Sequence, residues 1–334
     1  MIDVSVLLPC RNARSTLEEA LDSLLAQQHV RFEIMAVDDG SRDGSFELLS
    51  QCACRHRQLK LTRTPGVGIA RALELARRQA RAPLLARMDA DDRCHPERLA
   101  QQAEAMGRDP SVAALGSCVE AFPEQALQDG MRHYLRWQHS LLTPDEHRDQ
   151  LFVESPLCHP SVMLRQDALE RVGGFRHGPF PEDYDLWLRL DGAGFGLAKL
   201  PATLLHWRHS PGSATWVDPR YDRERFTELK APWLARRLRQ LGQPVEIWGA
   251  GRTGKRLARA LEPHGIGAER FIDIDPRKIG RQARGRAIVG VEALGAPGAA
   301  TVVVAVGARG ARDLVRAELS ARGHREGRDF LCAS

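Results

Sequence analysis

The sequence is poor in lysine and has no long apolar run. Of its 48 basic residues only five are lysine, so arginine carries almost all of the positive charge. No apolar run reaches the roughly 18 residues that a membrane-spanning helix needs. The segment 1–9 also lacks the basic start and the small-residue cleavage site of a signal peptide. From these absences we expect a cytoplasmic protein.

Paired cysteine motifs are absent as well. The seven cysteines form no CxxC pair, and Cys52 and Cys54 have no partners at the spacing of a zinc site. Reduced thiols are therefore expected. The remaining composition, 43% hydrophobic and 27% charged, excludes collagen-like, mucin-like and wholly disordered chains. At roughly 150 residues per domain, a chain of 334 residues is expected to form two domains.

The positive charge is concentrated in the last third of the chain. Residues 243–334 contain 16 basic and 10 acidic residues, whereas residues 1–242 contain 32 and 33. The arginines of the last third are scattered along predicted helices and have no aromatic residues interleaved with them. Nucleic-acid binding usually needs a clustered basic face, so we expect no nucleic-acid partner.

Apolar runs alternate with helical spacing over the first 110 residues. The pattern predicts strands at 4–8, 33–37, 59–62 and 83–88, with helices at 16–27, 46–53, 68–81 and 96–106. Strands that alternate with helices form a largely parallel sheet covered on both faces. The predicted fold class of this region is therefore α/β.

The second half of the chain predicts a separate, smaller unit. An amphipathic helix over 227–241 is broken by Gly242-Gln243-Pro244, and a new strand follows at 245–248. We expect one domain over residues 1–215, a helical linker over 216–242, and a second parallel α/β domain over 243–334.

Aspartates follow two of the predicted strands of the first domain directly. Asp38 and Asp39 come after the second strand, and Asp89, Asp91 and Asp92 come after the fourth. In open parallel sheets the ligand crevice lies at the carboxyl ends of the strands. So many like charges need a compensating cation, and Mg²⁺ or Mn²⁺ with diphosphate oxygens fits this arrangement. The alternative is that aspartate is simply common in turns and helix caps.

Four motifs in this order carry a resemblance. They are PCRNA at 9–13, VDDGSRDGS at 37–45, RMDADD at 87–92, and GGF at 173–175 followed by EDYDLWLR at 182–189. Together they resemble a family 2 glycosyltransferase of the GT-A fold over residues 1–215.

The resemblance implies a role for each matching residue. Donor binding is expected from Pro9, Asn12, Asp39, Arg71 and Asp89, with Asp39 on the uracil ring and Asp89 near the ribose. Metal binding is expected from Asp91 and His209, and the catalytic base would be Asp183. Arg11 stands where the family often has an aromatic residue, so stacking on the base is not expected from that position.

The resemblance also implies a reaction. A sugar moves from a nucleoside diphosphate, UDP by likeness, to a hydroxyl of a glycan or lipid-linked acceptor, with inversion at the anomeric carbon and with Mn²⁺ or Mg²⁺ as cofactor. A lipid-linked acceptor would bring the protein to the inner face of the membrane. Two alternatives stay open at this point: a nucleotidyltransferase, and a non-catalytic protein that binds nucleotide sugars.

A glycine-rich turn opens the second domain. The sequence GAGRTG at 249–254 follows the predicted strand and precedes a predicted helix, and a second strand ends in acids about 20 residues later. This context fits the fingerprint of Rossmann domains, in which glycines let a pyrophosphate approach a helix N-terminus. Nucleotide-binding residues would be Gly249, Gly251, Gly254 and Asp273, with Asp275 as the alternative to Asp273.

This domain resembles the nucleotide-binding domains of NAD-dependent enzymes and the N-terminal domain of sialic-acid-cluster sugar acetyltransferases. A purely structural unit, a unit that binds a nucleotide or nucleotide sugar, and a redox unit are the three interpretations.

Overall fold

The computed structural model describes residues 2–209 and 218–334. The chain packs as two compact units. The first comprises Met1–His147 and Pro156–Asp218, and the second comprises Arg148–Ser155 and Pro219–Ser334. Each unit is built around its own sheet.

The first unit contains an eight-stranded mixed sheet in the order β3-β2-β1-β4-β7-β6-β8-β5. Its strands are β1 (Val4–Cys10), β2 (Phe32–Asp39), β3 (Leu59–Thr64), β4 (Leu84–Arg87), β5 (Arg93–Cys94), β6 (Val112–Phe122), β7 (Met163–Arg165) and β8 (Gly196–Arg208). The first four strands in this order are parallel. β7 is antiparallel to both β4 and β6, and at three residues it is too short to show a period in the sequence.

Eight helices are described up to residue 192. They are α1 (Leu17–Leu25), α2 (Ser45–Arg55), α3 (Ile69–Gln79), α4 (Arg98–Arg108), α5 (Asp129–His139), α6 (Pro144–Gln150), α7 (Gln166–Arg171) and α8 (Glu182–Gly192). α1 buries Leu17, Leu21 and Leu24 on one face, the spacing expected of a helix against a core. β1 is buried along its whole length, as a central parallel strand must be when both faces of its sheet are covered.

The parallel register brings the strand ends of the first unit to one edge. Cys10 pairs with Asp38 and Leu7 pairs with Arg87, so β1, β2 and β4 end side by side. Gly40 turns the chain after β2 with a φ of +74°, and a Cβ there would lie 3.0 Å from the backbone nitrogen of Gly66. Only glycine allows this close approach of the two loops at that φ.

The second unit contains a six-stranded sheet in the order β11-β12-β10-β9-β13-β14. Its strands are β9 (Val245–Trp248), β10 (Ala268–Ile272), β11 (Gln282–Ala283), β12 (Arg286–Val289), β13 (Thr301–Val304) and β14 (Phe330–Cys332), and its helices are α9 (Arg223–Leu241), α10 (Arg252–Leu261) and α11 (Ala311–Ala321). All pairs are parallel except β11 with β12. Within the described residues, no helix is both long and apolar enough to cross a membrane.

The division into units differs from the boundaries expected at 215 and 242. α9, which was expected to be a linker, belongs to the second unit, and so does the segment Arg148–Ser155. The reason is a set of contacts between segments that are far apart in the sequence, which a local sequence pattern cannot predict. The Nζ atom of Lys230 in α9 donates to the carbonyl oxygens of Phe152 at 2.7 Å and Ala333 at 2.8 Å, and Lys230 is 6% exposed.

Candidate functional site

Three aspartates converge just after β4. Carboxylate oxygens of Asp89, Asp91 and Asp92 all lie within 4.8 Å of one another. Asp92 is 1% exposed, and its Oδ1 atom accepts a hydrogen bond from the backbone nitrogen of Arg208 at 2.7 Å. Its Oδ2 atom is buried and has no hydrogen-bond partner in the structure. Asp89, Asp91 and Asp92 therefore lie together as expected, whereas Asp38 and Asp39, which were expected at the same crevice, are not part of this cluster.

The cluster is short of positive charge. Burial, and then the Asp89 carboxylate, raises the pKa of Asp91 to about 6. Burial, followed by Asp89 and Asp91, raises the pKa of Asp92 well above its usual value. Both directions mean that the ionised forms are penalised where they stand. A hard divalent cation takes oxygen ligands and would supply the charge, so the three side chains fit Mn²⁺ or Mg²⁺.

Arg87 places one buried cation beside this cluster. Its side chain is 3% exposed, and its Nη1 atom lies 2.5 Å from the Oδ2 atom of Asp89. Burial alone would lower the pKa of Arg87, but Asp89, Asp92 and Glu182 raise it above its ordinary value. Glu182 is the first residue of α8. The field of Arg87 therefore links the aspartate cluster to the first turn of that helix, a role that sequence analysis did not assign.

Asp183 lies in that same first turn and is half-buried. Acidic side chains at a helix N-terminus are stabilised by the helix dipole, so the position suits an ionised carboxylate. Next to it, Glu182 lies 4.0 Å from the Nδ1 atom of His159. Burial and then Arg87 lower the pKa of His159 well below its usual value, so this imidazole is neutral at pH 7. The role of Asp183 as a base stays a prediction.

Asp39 organises the loop that follows β3. Its Oδ1 atom accepts from Thr64 Oγ1 at 2.5 Å and from the backbone nitrogen of Val67 at 2.6 Å, and its Oδ2 atom accepts from the backbone nitrogen of Gly68 at 2.8 Å. Burial raises the pKa of Asp39, but these three bonds outweigh it, and the pKa lies below its usual value. The carboxylate is therefore ionised and sits where α3 begins.

The other predicted donor-binding residues lie around the same edge. Arg71 is exposed in the first turn of α3, directly after the loop that Asp39 fixes. Pro9 is buried in β1. Asn12 adopts a φ of 50°, and its Oδ1 atom accepts from the backbone nitrogen of Arg42 at 3.0 Å. Part of the amide of Asn12 is thus committed to holding the loop after β2.

The end of β8 also reaches the aspartate cluster. Besides its bond to Asp92, Arg208 donates from Nε to the carbonyl oxygen of Asp91 at 2.7 Å, and its guanidinium stacks 4.4 Å from the Phe122 ring centre. His209 comes next, and its backbone nitrogen donates to the carbonyl oxygen of Phe122 at 2.7 Å. Burial lowers the pKa of His209, which favours the neutral form that binds metals.

His209 is not among the side chains whose ligand atoms lie within 4.8 Å of one another. Its predicted role in metal binding stays a prediction. The sequence signal for Arg208 was its place next to His209, but nothing local pointed to its contacts with Asp91 and Asp92.

The glycine-rich turn of the second unit has two glycines that the fold requires. A Cβ on Gly249, whose φ is +120°, would lie 2.4 Å from the carbonyl oxygen of Ala305, and a Cβ on Gly254 would lie 1.8 Å from the carbonyl oxygen of Gly249. Gly251 differs, because a Cβ there would meet nothing within 4 Å and its φ of −84° suits any residue.

Asp273 is held inside the second unit. Its Oδ2 atom accepts from the backbone nitrogen of Ala250 at 2.9 Å and from Lys278 Nζ at 3.0 Å, and its Oδ1 atom accepts from the backbone nitrogen of Asp275 at 2.9 Å. Its predicted contact with a ribose would have to share a carboxylate that already holds the glycine turn.

The geometry can be compared with known proteins. The 1–349 fragment of TarS from S. aureus, in complex with UDP-GlcNAc, matches with a TM-score of 0.57 at 17% identity, covering 79% of this chain and 72% of that one. Mannosyltransferase PcManGT from Pyrobaculum calidifontis, in complex with GDP-Man and Mn²⁺, matches with a TM-score of 0.51 at 20% identity, covering 72% and 66%. The first unit therefore has the GT-A fold of glycosyltransferases, as predicted.

Sequence relatives agree with the fold. Amylovoran biosynthesis glycosyltransferase AmsE of Erwinia amylovora is 30% identical over 212 residues, or 62% of this chain and 76% of AmsE. The UDP-Gal:alpha-D-GlcNAc-diphosphoundecaprenol beta-1,3-galactosyltransferase of Escherichia coli is 26% identical over 199 residues, or 59% and 70%. A family model described as "Glycosyl transferase family 2" matches residues 5–173. The chain belongs to glycosyl transferase family 2, and it is an enzyme of that class.

Proposed function

We propose that this glycosyltransferase is metal-dependent and inverting, and that it moves a sugar from a UDP-sugar to a hydroxyl of a glycan or lipid-linked acceptor in surface polysaccharide synthesis. The observation that carries the proposal is the set of three carboxylates within 4.8 Å after β4. The names of the relatives support the substrate class, since one acts in amylovoran biosynthesis and another uses UDP-Gal.

Asp91, with His209, would hold Mn²⁺ or Mg²⁺ at this edge, and Asp89 beside Asp91 would contact the ribose of the donor. When bound, the ion would stabilise the negative charge that develops on the departing diphosphate. The buried Oδ2 atom of Asp92 lies in the same cluster and adds a further oxygen. The PcManGT complex with GDP-Man and Mn²⁺ supports this cofactor class.

The edge formed by β1, β2 and α3 would bind the nucleotide part of the donor. Asp39 fixes the loop over 64–68 through three hydrogen bonds. The loop leads directly into α3, so these bonds also help to position the backbone of Arg71 in the first turn of that helix. In the described residues no carboxylate lies within 4.0 Å of Arg71, so its guanidinium is available to the base and the phosphates. Pro9 and Asn12 would complete the pocket from the end of β1.

Asp183 would act as the base. The acceptor oxygen attacks the anomeric carbon from the face opposite the diphosphate, so that the new C–O bond forms as the bond to the diphosphate breaks. Asp183 takes the proton that the acceptor hydroxyl loses. Its neighbour Glu182 shares the field of Arg87 with Asp89 and Asp92, which supports this assignment.

The kind of acceptor determines where in the cell the enzyme would act. The Escherichia coli relative is named for an acceptor on a diphosphoundecaprenol lipid. An acceptor of this kind would bring the enzyme to the inner face of the membrane as a peripheral protein, in line with the expectation from sequence.

The test is a donor panel on the full chain. UDP-, GDP- and dTDP-sugars are incubated with Mn²⁺ and an acceptor glycan, and we expect UDP release and a product with inverted anomeric configuration by NMR. Asp183→Asn should lower transfer by at least about 100-fold while UDP binding remains. Asp22→Asn, an exposed carboxylate of α1, is the matched control and should keep full activity.

Three outcomes would contradict the proposal. Release of pyrophosphate would indicate a nucleotidyltransferase, and tight donor binding without any turnover would indicate a binding protein. Undiminished transfer after removal of divalent ions with EDTA would exclude the metal-dependent mechanism.

A further inference from the structure

The second unit contains a cavity at the start of α10 that the proposed transfer reaction does not use. The cavity measures about 470 Å³, which lies within the range of roughly 300–1,000 Å³ of small-molecule sites. Its lining includes Gly251, Arg252, Lys255, Lys278 and Arg281. Four cations and a glycine therefore face one space at the carboxyl end of β9.

Most of this positive charge is not compensated. Lys278 lies 3.0 Å from Asp273 and 4.0 Å from Asp275. In the part of the chain that the structure describes, no carboxylate lies within 4.0 Å of Arg252, Lys255 or Arg281. Three exposed cations around one cavity, without acidic partners, create a positive field that attracts anions.

The backbone adds to the same field. α10 begins after Gly251 with no side-chain cap, so the first amide groups of the helix keep their hydrogen-bonding capacity. They also carry the positive end of the helix dipole, which favours phosphate. Gly251 leaves open space above them, because the protein places nothing within 4 Å of a Cβ there. The fold requires Gly249 and Gly254, but it does not require Gly251.

The rest of the cavity is suited to more than a phosphate. Ala250 and Ile288 supply an apolar wall and Gln282 supplies an amide. Ile274 and Ile279, two of the three large hydrophobic side chains exposed in the described residues, flank Lys278 in sequence. The apolar lining by Ala250 and Ile288 is the kind of surface that a nucleotide base contacts.

We propose that this cavity binds the diphosphate group of a nucleotide, without a metal ion, with Arg252, Lys255 and Arg281 as the charged contacts and Gly251 as the point of closest backbone approach. Asp273 then serves as a positioning residue that ties the glycine turn to Lys278. A nucleoside diphosphate and a pyridine dinucleotide share this diphosphate chemistry, and the experiment separates them.

The experiment follows hydrogen–deuterium exchange of the full chain in EDTA, with UDP, NAD⁺ or inorganic pyrophosphate as probes. The metal-dependent site of the first unit is weakened in EDTA, so protection there and in the second unit are read separately. We expect protection of residues 249–256 and 278–288 by UDP or NAD⁺ at a lower concentration than by pyrophosphate. The nucleotide that protects at the lower concentration identifies the source of the diphosphate.

Two pairs of variants make the test specific. Gly251→Ala should lower the affinity for the protecting nucleotide at least about tenfold without changing the melting temperature, whereas Gly267→Ala, where a Cβ would meet only Arg286 Nη2 at 3.9 Å, should leave both unchanged. Arg252→Ala should weaken binding, and Arg259→Ala, on the same helix but paired with Glu224, should not.

Equal protection by pyrophosphate and the nucleotides would overturn the assignment to a nucleotide. No protection of these segments by any probe at millimolar concentration would overturn the site itself. Neither outcome bears on transfer by the first unit, which is measured with Mn²⁺ and an acceptor.

Discussion

The two units present charge of opposite sign at the carboxyl ends of their central strands. In the first unit three aspartates gather after β4, and the pKa of Asp91 rises to about 6 through burial and its neighbour Asp89. In the second unit Arg252, Lys255 and Arg281 line the cavity after β9. If both edges bind a diphosphate, as proposed, the acidic edge would need a cation between protein and ligand, whereas the basic edge would not.

The difference follows from what each site has to do. Bond breaking builds charge on a leaving diphosphate, and a metal ion held by carboxylates can stabilise that charge. Reversible binding needs only a constant field, which arginine, lysine and a helix N-terminus supply. The comparison is therefore consistent with the proposed transfer chemistry in the first unit and the proposed binding in the second.

The strongest way to break this comparison is to remove one carboxylate of the acidic edge. Asp91→Asn should lower transfer about 10³-fold, because several kcal/mol of charge stabilisation depend on the metal. UDP-dependent protection of the second unit in EDTA should stay unchanged. Steady-state UDP release and hydrogen exchange measure the two effects, with Asp22→Asn as control. A transfer rate within threefold of the wild type would mean that Asp91 does not hold the metal.

The buried cation of the acidic edge gives the largest expected change in stability. Arg87→Met leaves Asp89, Asp92 and Glu182 without their shared positive charge, and breaking a buried pair in this way costs about 3–5 kcal/mol. Native-state hydrogen exchange of β1 reports the free energy of unfolding of the first unit. Arg108→Met, at an exposed pair with Glu104, is the matched control and should cost less than about 1 kcal/mol.

If Arg87→Met changes the stability of β1 no more than Arg108→Met does, the aspartates keep their charge without Arg87. The proposed metal ion would then be the main source of positive charge for the acidic edge.

Sequence patterns predicted the acidic edge well, because its residues follow strands that are consecutive in a regular alternation. The ends of β2 and β4 are separated only by β1 in the sheet. The local motifs at 37–45 and 87–92 were therefore sufficient to predict that Asp39 and Asp89 lie at the same edge of the sheet. The same reasoning found the turn at 249–254, since strand, turn and helix are contiguous there.

Contacts between segments that are distant in the sequence could not be predicted in this way. Arg208 binds Asp92, 116 residues away. β7, which lies between β4 and β6 in the sheet, is only three residues long. The segment Arg148–Ser155 belongs to the second unit, where the amine of Lys230 binds its backbone carbonyl groups and Gln150 bonds to Glu326, contacts between residues 77 to 176 positions apart. The ribose contact suggested for Asp273 stays a prediction, and no local pattern indicated that its oxygens hold Ala250, Asp275 and Lys278.

A buried carboxylate far from the metal cluster tests whether acidic groups in the first unit depend on metal in general. Glu33 is 1% exposed and accepts hydrogen bonds from Ser5, Lys60 and Arg81. Burial raises its pKa, but these bonds, with Arg81 first, lower it to about 2. Glu33→Gln should therefore cost about 2–3 kcal/mol at pH 7, with or without EDTA.

The sign of its pH dependence is fixed by that direction. The ordinary pKa of this carboxyl is 4.5 and the folded value is about 2, so the stabilisation is complete above pH 4.5 and is lost as the pH falls towards 2. Hydrogen exchange or urea unfolding at pH 7, 4 and 3 should show the gap between Glu33→Gln and the wild type shrinking. Glu104→Gln should show almost no gap, and a constant gap for Glu33→Gln would contradict the ionised state.

The smallest effect is expected at the buried cation of the second unit, where carbonyl groups take the place of carboxylates. The Nζ atom of Lys230 donates to Phe152 and Ala333, and burial lowers its pKa from 10.5 to about 8. Lys230→Met leaves these carbonyls unpaired but also removes a charge that is costly to bury, so the net loss at pH 7 should be about 1–2 kcal/mol.

Because the folded pKa of Lys230 lies below the unfolded one, the wild type gains stability as the pH rises from 8 to 10.5. The loss caused by Lys230→Met should therefore grow over that range, as the gap for Glu33→Gln grows between pH 2 and pH 4.5, while the exposed control Lys255→Met stays flat. Hydrogen exchange of β14 at pH 7 and urea unfolding at pH 7, 9 and 10 measure it. If the loss of unfolding free energy caused by Lys230→Met shrinks with rising pH, the fold stabilises Lys230 as a cation. The second unit would then stabilise a buried positive charge in addition to the exposed ones around its cavity.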